Sequence, residues 1–219
     1  MKERALTVDI YSDVICPWCY VGKAYLDRAL EARAYHPFAI EWHPFQLNPE
    51  MQREGMDRIA CMEAKFGSRE NIVRVHEPLL AHAERAGVGF DLPAITRTPN
   101  TLDAHRLIHW AGLEGRQTPM VGRIMRAYWA EGQDIGNPGT LARLAGEVGL
   151  DAAMTERLLQ GDGDRDEIAA REAHSRDRGV NAVPTFILAS QYVLQGAQPT
   201  ETWLKVIDEL AERLEDEAP

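Results

Sequence analysis

The feature that most constrains this chain is Cys16-Pro17-Trp18-Cys19, because it falls where one periodicity hands over to another. Leu6, Val8 and Ile10 alternate with other residues, the pattern of a strand with one buried face. After Pro17, apolar residues recur at Trp18, Val21, Tyr25, Leu26, Ala29 and Leu30, close to helical period. Pro17 itself stands where a first helical turn tolerates a residue without an N–H. The two cysteines therefore open a helix. At that place Cys16 faces unpaired backbone N–H groups and the positive end of the helix dipole, both of which favour thiolate over thiol, and this makes it the candidate nucleophile. Cys19, one turn further on and more deeply placed, is the candidate resolving thiol.

The same pair would also suit half of a structural zinc site, or two inert buried thiols. A zinc site needs a second close pair of ligands, and Cys61 stands without a cysteine or histidine at ligand spacing. Redox chemistry is the expected use, and no metal is expected. Lys plus Arg number 24 against 34 Asp plus Glu, a net charge of −10, which is the wrong sign for general attraction to phosphate or anionic lipid. No nucleic-acid partner is expected. No window offers about 18 consecutive apolar residues, and the N-terminus lacks the apolar run of about 7 to 15 residues that a secretory signal carries. The expectation is a cytoplasmic protein without membrane association, where closely spaced cysteines serve catalysis rather than structural bridging. With 45% hydrophobic and 26% charged residues, a chain of 219 residues can bury a sizeable core.

Phe38, Ile40 and Trp42 alternate again, giving strand, helix and strand at the N-terminus. Helix-period segments follow at residues 56–66, 69–87, 99–113, 118–131, 138–148 and 151–160, with no convincing strand among them. A further helix over 162–178 ends at Gly179, residues 185–189 and 192–195 read as a hairpin, and Trp203, Val206, Ile207, Leu210 and Leu214 mark one face of a last helix. The strands lie at the two ends of the chain, so one sheet joining both ends is the economical arrangement. The expected class is α/β, with residues 1–49 and 161–219 forming one discontinuous domain and 50–160 a helical insertion domain.

A second signal is Gly179-Val180-Asn181-Ala182-Val183-Pro184-Thr185-Phe186, where a proline opens an apolar run and suits an edge or a special backbone geometry. Together with the run from Asp13 through Cys16 and Cys19 to Lys23, the stretch Pro44-Phe45-Gln46-Leu47-Asn48-Pro49, and Asn100-Thr101-Leu102-Asp103-Ala104-His105-Arg106-Leu107, it spans nearly the whole chain. On these motifs the sequence resembles the DsbA/FrnE-type thiol:disulfide oxidoreductases of the thioredoxin superfamily. The resemblance implies a thioredoxin-like fold interrupted by a large all-α insertion, with Pro184 cis and packed against the Cys16–Cys19 pair. It further implies supporting roles for Pro17 and Trp18, and backbone hydrogen bonds from Val183 to an extended substrate segment. Asn100 and His105 would border the substrate cleft; the plainer reading is that Asn100 or Thr101 caps a helix and His105 is an ordinary helix residue.

Glu41 and His43 on the second strand are candidate acceptors for the Cys19 proton, although strand polar residues more often face solvent. Asp162 to Asp166 imitates the start of a calcium loop, yet Glu167 and Ala173 stand where the loop needs Gly and Glu, so an acidic helix start is expected instead. The expected activity is that of a thiol:disulfide oxidoreductase acting on protein or small-molecule disulfides. It requires no cofactor, and glutathione or a thioredoxin-type system is its expected redox partner. A homodimer stays open, since no residue pattern marks an interface. Two other classes stay open as well: an enzyme similar to kappa-type glutathione transferases or 2-hydroxychromene-2-carboxylate isomerases, which typically carry serine where this chain has Cys16, and a peptide-binding holdase.

Overall fold

The computed structural model describes residues 6–216; the ends of the outer domain expected from the sequence, 1–5 and 217–219, lie outside them. In chain order the elements are β1 (Leu6–Ser12), α1 (Pro17–Ala32), β2 (Phe38–Pro44), β3 (Met56–Asp57), α2 (Arg58–Phe66), α3 (Arg69–Ala86), β4 (Arg97–Thr98), α4 (Leu102–Leu113), α5 (Gln117–Trp129), α6 (Pro138–Glu147), α7 (Ala152–Gln160), α8 (Arg165–Asp177), β5 (Thr185–Leu188), β6 (Tyr192–Gln195) and α9 (Thr200–Asp216). One 3-10 turn, Leu92–Ala94, precedes β4.

Both ends of the chain build one four-stranded sheet in the order β2-β1-β5-β6. β1 runs parallel to β2, with Ile10 opposite Trp42, and antiparallel to β5, with Ile10 opposite Phe186. Strand alternation sends Val8, Ile10 and Ser12 to the same side of the sheet, all of them buried. On this side α1 packs with α9, and the fully buried Trp203 of α9 meets Phe186 edge to face at 4.8 Å. The opposite side carries a smaller cluster of Tyr11, Phe45 and Val180.

Four of the helices begin where a side chain supplies an acceptor for their first N–H groups. Asp57, Ser68, Asn137 and Asp151 accept from Ala60, Asn71, Thr140 and Met154 at the starts of α2, α3, α6 and α7. α3 ends at Gly87, whose φ of 70° lies in the left-handed region that favours glycine. The expectation of no strand between residues 50 and 160 needs correction, since β3 and β4 pair antiparallel through Met56–Thr98 and Asp57–Arg97. A strand of two residues shows no alternation, so periodicity could not reveal it.

The acidic stretch at 162–166 holds arginines. Asp103 accepts from Arg106 at 2.7 Å and Arg165 at 2.6 Å, Arg53 reaches Asp162 at 3.3 Å, and Arg106 also donates to the carbonyls of Leu158, Gly161 and Gly163. Arg106 is wholly buried, so these bonds satisfy a guanidinium that would otherwise be very costly to desolvate. They tie α4 to the segment that leads back into the sheet.

Candidate active site

β1 delivers the chain to Cys16 and Cys19. Beyond Ser12 the backbone turns, the Cys16 N–H donates to the Asp13 carbonyl at 3.0 Å, and α1 begins with Cys16 as its N-cap and Pro17 in its first turn. The Cys16 carbonyl accepts from Cys19 at 3.1 Å and Tyr20 at 3.3 Å, while its side chain caps nothing. The sulfur stays free for chemistry. It donates to the carbonyl of Val183, 3.6 Å away, next to the cis peptide bond between Val183 and Pro184. α1 comes close to that loop at Gly22, where a Cβ would lie 3.2 Å from Pro184 Cγ and 3.4 Å from Ala197 Cα.

All three cysteines are free thiols. The difference in depth expected between the pair is slight, Cys16 being 4% and Cys19 2% exposed, because the Val183 loop and the helical segment both cover Cys16. Burial pushes the Cys19 thiol well up from its ordinary value, the adjacent Cys16 sulfur adds to the rise, and the Ser12 hydroxyl and the Asp13 backbone act in the opposite direction. A thiol held protonated until its neighbour has reacted is suited to resolving rather than to first attack.

Cys16 lines a cleft of about 430 Å³ whose other walls include Trp18, Arg58, Lys65, Trp129 and Val183. Trp129 is fixed by donation from its indole to the Val14 carbonyl at 3.1 Å, and the Arg58 guanidinium lies 5.4 Å from its ring centroid. Arg58 also donates to the Tyr128 hydroxyl at 3.2 Å, and burial pushes that phenol up to about 12, keeping it neutral. Arg58 and Lys65 bring positive charge to the cleft, and no carboxylate is among its described lining residues. Cys61 lines the same cleft.

Asn100 and His105 are not among the residues that line this cleft. Asn100 accepts from Leu102 N at 2.9 Å at the start of α4 and donates to the Met51 carbonyl at 2.6 Å. His105 is 4% exposed, with Nε2 at 3.1 Å from the Phe45 carbonyl and 3.5 Å from an Asp13 carboxylate oxygen. Both brace the segment after β2, whose Leu47 and Asn48 do reach the cleft. Trp18 packs edge to face on His82 of α3, with ring centroids 5.3 Å apart.

Glu41 and His43 need correction as acceptors for the Cys19 proton. Strand alternation points them away from the α1 side of the sheet, where His43 stacks on Tyr11 at 4.8 Å and its Nε2 lies 2.8 Å from Asp9. One ligand atom from each of Asp9, Glu41 and His43 lies within 4.8 Å of the others, so this outer group is a geometry that could hold a cation. Sequence reasoning gave no role of its own to Ser12, Asp13 or Arg58. Asp13 was visible as part of a motif, but only the fold shows its carboxylate fully buried and accepting from Leu47 N at 2.7 Å.

A pair of thiols at a helix start, beside a proline loop in a sheet built from both chain ends, is a thioredoxin-type architecture, and the DSBA-like thioredoxin domain family matches residues 7–208. The chain belongs to that family. It is similar to the uncharacterized protein YwbO of Bacillus subtilis (strain 168), 29% identical over 203 residues, covering 92% of this chain and 96% of that one. The crystal structure of a probable DsbA oxidoreductase, SCO1869 of Streptomyces coelicolor, superposes with a TM-score of 0.81 at 29% identity, covering 98% of this chain and 92% of that one. The cytosolic disulfide reductase DsbM of Pseudomonas aeruginosa, solved with GSH, shares the fold at a TM-score of 0.67 and 21% identity, covering 94% of this chain and 99% of that one. Among the described residues no helix is long and apolar enough to cross a membrane.

Proposed function

We propose that this protein is a cytoplasmic thiol:disulfide oxidoreductase in which Cys16 is the nucleophile and Cys19 the resolving thiol. The Cys16 thiolate attacks a substrate disulfide, releases one thiol and keeps the other half as a mixed disulfide. Cys19 then attacks Cys16, expels the second thiol and leaves the Cys16–Cys19 disulfide, so the dithiol loses the two electrons that the substrate gains. The observation that carries this reading is the Cys16 sulfur at the first turn of α1, 3.6 Å from the Val183 carbonyl and opening on a cleft.

Pro17, Trp18 and Pro184 frame the pair, and the Val183 backbone offers hydrogen bonds to an extended substrate segment. Asn100 and His105 act on substrate indirectly, through the 45–48 segment they brace. Glutathione is the proposed redox partner. Two cationic side chains in the cleft of a chain with net charge −10 suit a small anionic thiol, and the similarly folded DsbM was solved with GSH. A glutathione-rich cytosol favours the reducing direction.

Insulin reduction and mixed-disulfide trapping test the proposal together. Cys19→Ser should accumulate a mixed disulfide on Cys16, seen by mass spectrometry, and lose turnover. Unchanged insulin reduction in Cys16→Ser would overturn the reading.

A further inference from the structure

We propose that the Ser12 hydroxyl is a catalytic hydrogen-bond donor to the Cys19 sulfur, used when that sulfur becomes an anion and attacks the mixed disulfide. The inference deepens the oxidoreductase reading and rests on it. Ser12 is the last residue of β1 and is 4% exposed. Its backbone is fully used, pairing with β2 and accepting from Phe45 N at 3.2 Å. Its hydroxyl oxygen, in contrast, is one of three described buried side-chain polar atoms without a hydrogen-bond partner. A buried hydroxyl that meets no acceptor in the dithiol state is normally selected against, so the acceptor is to be sought in another state of the site.

Strand alternation says where that acceptor lies. Ser12 shares a side with Val8 and Ile10, the side covered by α1, whereas Asp9 and Tyr11 point the other way. The first turn of α1 carries Cys19, a thiol that accepts poorly while protonated and strongly once ionised. Ser12 lies close enough to Cys19 to oppose the rise that burial causes in its pKa, acting there beside the Asp13 backbone. Ser12 also borders a small cavity of about 10 Å³, about the size of one water, together with His105, His109 and Gln117. Ser12 thus sits between that cavity and the α1 side of the sheet.

In the resolving step the Cys19 thiol gives up its proton to solvent and the thiolate attacks Cys16 Sγ. The Cys16–Cys19 bond forms, the bond from Cys16 to substrate breaks, and the departing substrate thiolate takes a proton from solvent. Ser12 loses no proton in this sequence. Its O–H points at the negative sulfur before attack and so lowers the barrier to a charge formed in a dry place.

Single-turnover kinetics on a preformed mixed disulfide of Cys16 with glutathione test the inference, followed by release of the thiol across a range of pH. Ser12→Ala should slow release about tenfold at pH 7, as expected for loss of one hydrogen bond to a charged group, and move the pH midpoint of release to higher pH. Ser12→Thr, which keeps a hydroxyl, should restore both. The rate at which Cys16 first attacks the disulfide should be unchanged in either variant. An unshifted release profile in Ser12→Ala overturns the role of Ser12, as does equal slowing of both steps. If wild-type protein releases no thiol from the mixed disulfide, or releases it equally in Cys19→Ser, the oxidoreductase reading fails instead and takes this inference with it.

Discussion

At the scale of single residues, the site depends on buried polar groups that each have a defined partner. Asp13 shows this best. Its carboxylate is fully buried, one oxygen accepts from Leu47 N at 2.7 Å, and the other faces His105 at 3.5 Å. Asp13→Ala would leave the Leu47 N–H buried without an acceptor, a loss of about 2–3 kcal/mol. Asp13→Asn keeps an amide oxygen for that bond and should lose less than half as much, so urea unfolding of the two variants separates loss of the acceptor from loss of the charge. Equal unfolding midpoints for wild type and Asp13→Ala would show that the bond contributes nothing. The sequence made Cys16, Cys19, Val183 and Pro184 legible because cysteine spacing and a proline before an apolar run are local signals. Ser12 and Arg58 left no such mark, since a strand-end serine and a helix arginine look alike in sequence wherever they point. His105 stood out as a motif residue, yet its place behind the cleft depends on how α4 crosses the loop after β2.

At the scale of elements, helical period located every helix of the segment 56–160 to within a few residues, because an amphipathic face of ten or more residues repeats several times. The paired β3 and β4 escaped it for want of length. Periodicity is equally silent on the contact between α1 and the proline loop that fixes the site; only the family resemblance implied Pro184 against the Cys16–Cys19 pair. Gly22 lets α1 approach Pro184, and a Cβ there at 3.2 Å from the proline ring is tighter than ordinary packing accepts. Gly22→Val adds two further methyl groups in the same place and should cost about 2 kcal/mol by overpacking. The displaced loop should also carry the Val183 carbonyl away from Cys16 and reduce insulin turnover. Gly22→Ala should show a smaller effect on stability, because the gain of about 1 kcal/mol in helix propensity offsets part of the crowding. Thermal melts with parallel insulin assays check both, and a fully active, fully stable Gly22→Val would show that the close approach is dispensable.

At the scale of the whole molecule, strands at the chain ends with helices between them allowed the sheet to be anticipated, because an isolated strand pair at either end would be marginal alone. The cleft could not be anticipated as a whole, since its walls come from α1, α2, α3, α5, the segment after β2, β4 and the loop before β5, which only the packed fold brings together. The same packing sets how stability responds to pH. On the acid side, hydrogen bonding to Arg123 lowers Glu147, hydrogen bonding to Arg33 lowers Asp208, and burial lowers His82. A group with a depressed folded pKa contributes stability above its unfolded pKa and loses it as pH falls, so stability should decline first as pH drops through about 6.5 and again through the carboxylate range near 4. On the alkaline side the shifts are upward. Burial raises Cys19 above its ordinary value of 9.0 and raises Tyr128 from 10.0 to about 12. Folded protein then holds protons that the unfolded chain has released, so this contribution is complete below pH 9 and is lost as pH rises. Tyr128 alone accounts for about 2–3 kcal/mol between pH 10 and 12, at about 1.4 kcal/mol per unit. Urea midpoints measured across pH should therefore trace a plateau from about pH 7 to 9 with a fall on each side. Tyr128→Phe forfeits the hydrogen bonds to Arg58 and the Arg97 carbonyl and starts lower, but with no phenol to ionise its fall between pH 10 and 12 should be shallower by about 2 kcal/mol. Parallel curves for the two proteins over that interval would show that the Tyr128 hydroxyl is not held in a dry site, and the packing that walls the cleft around Arg58 and Trp129 would have to be looser than the distances here require.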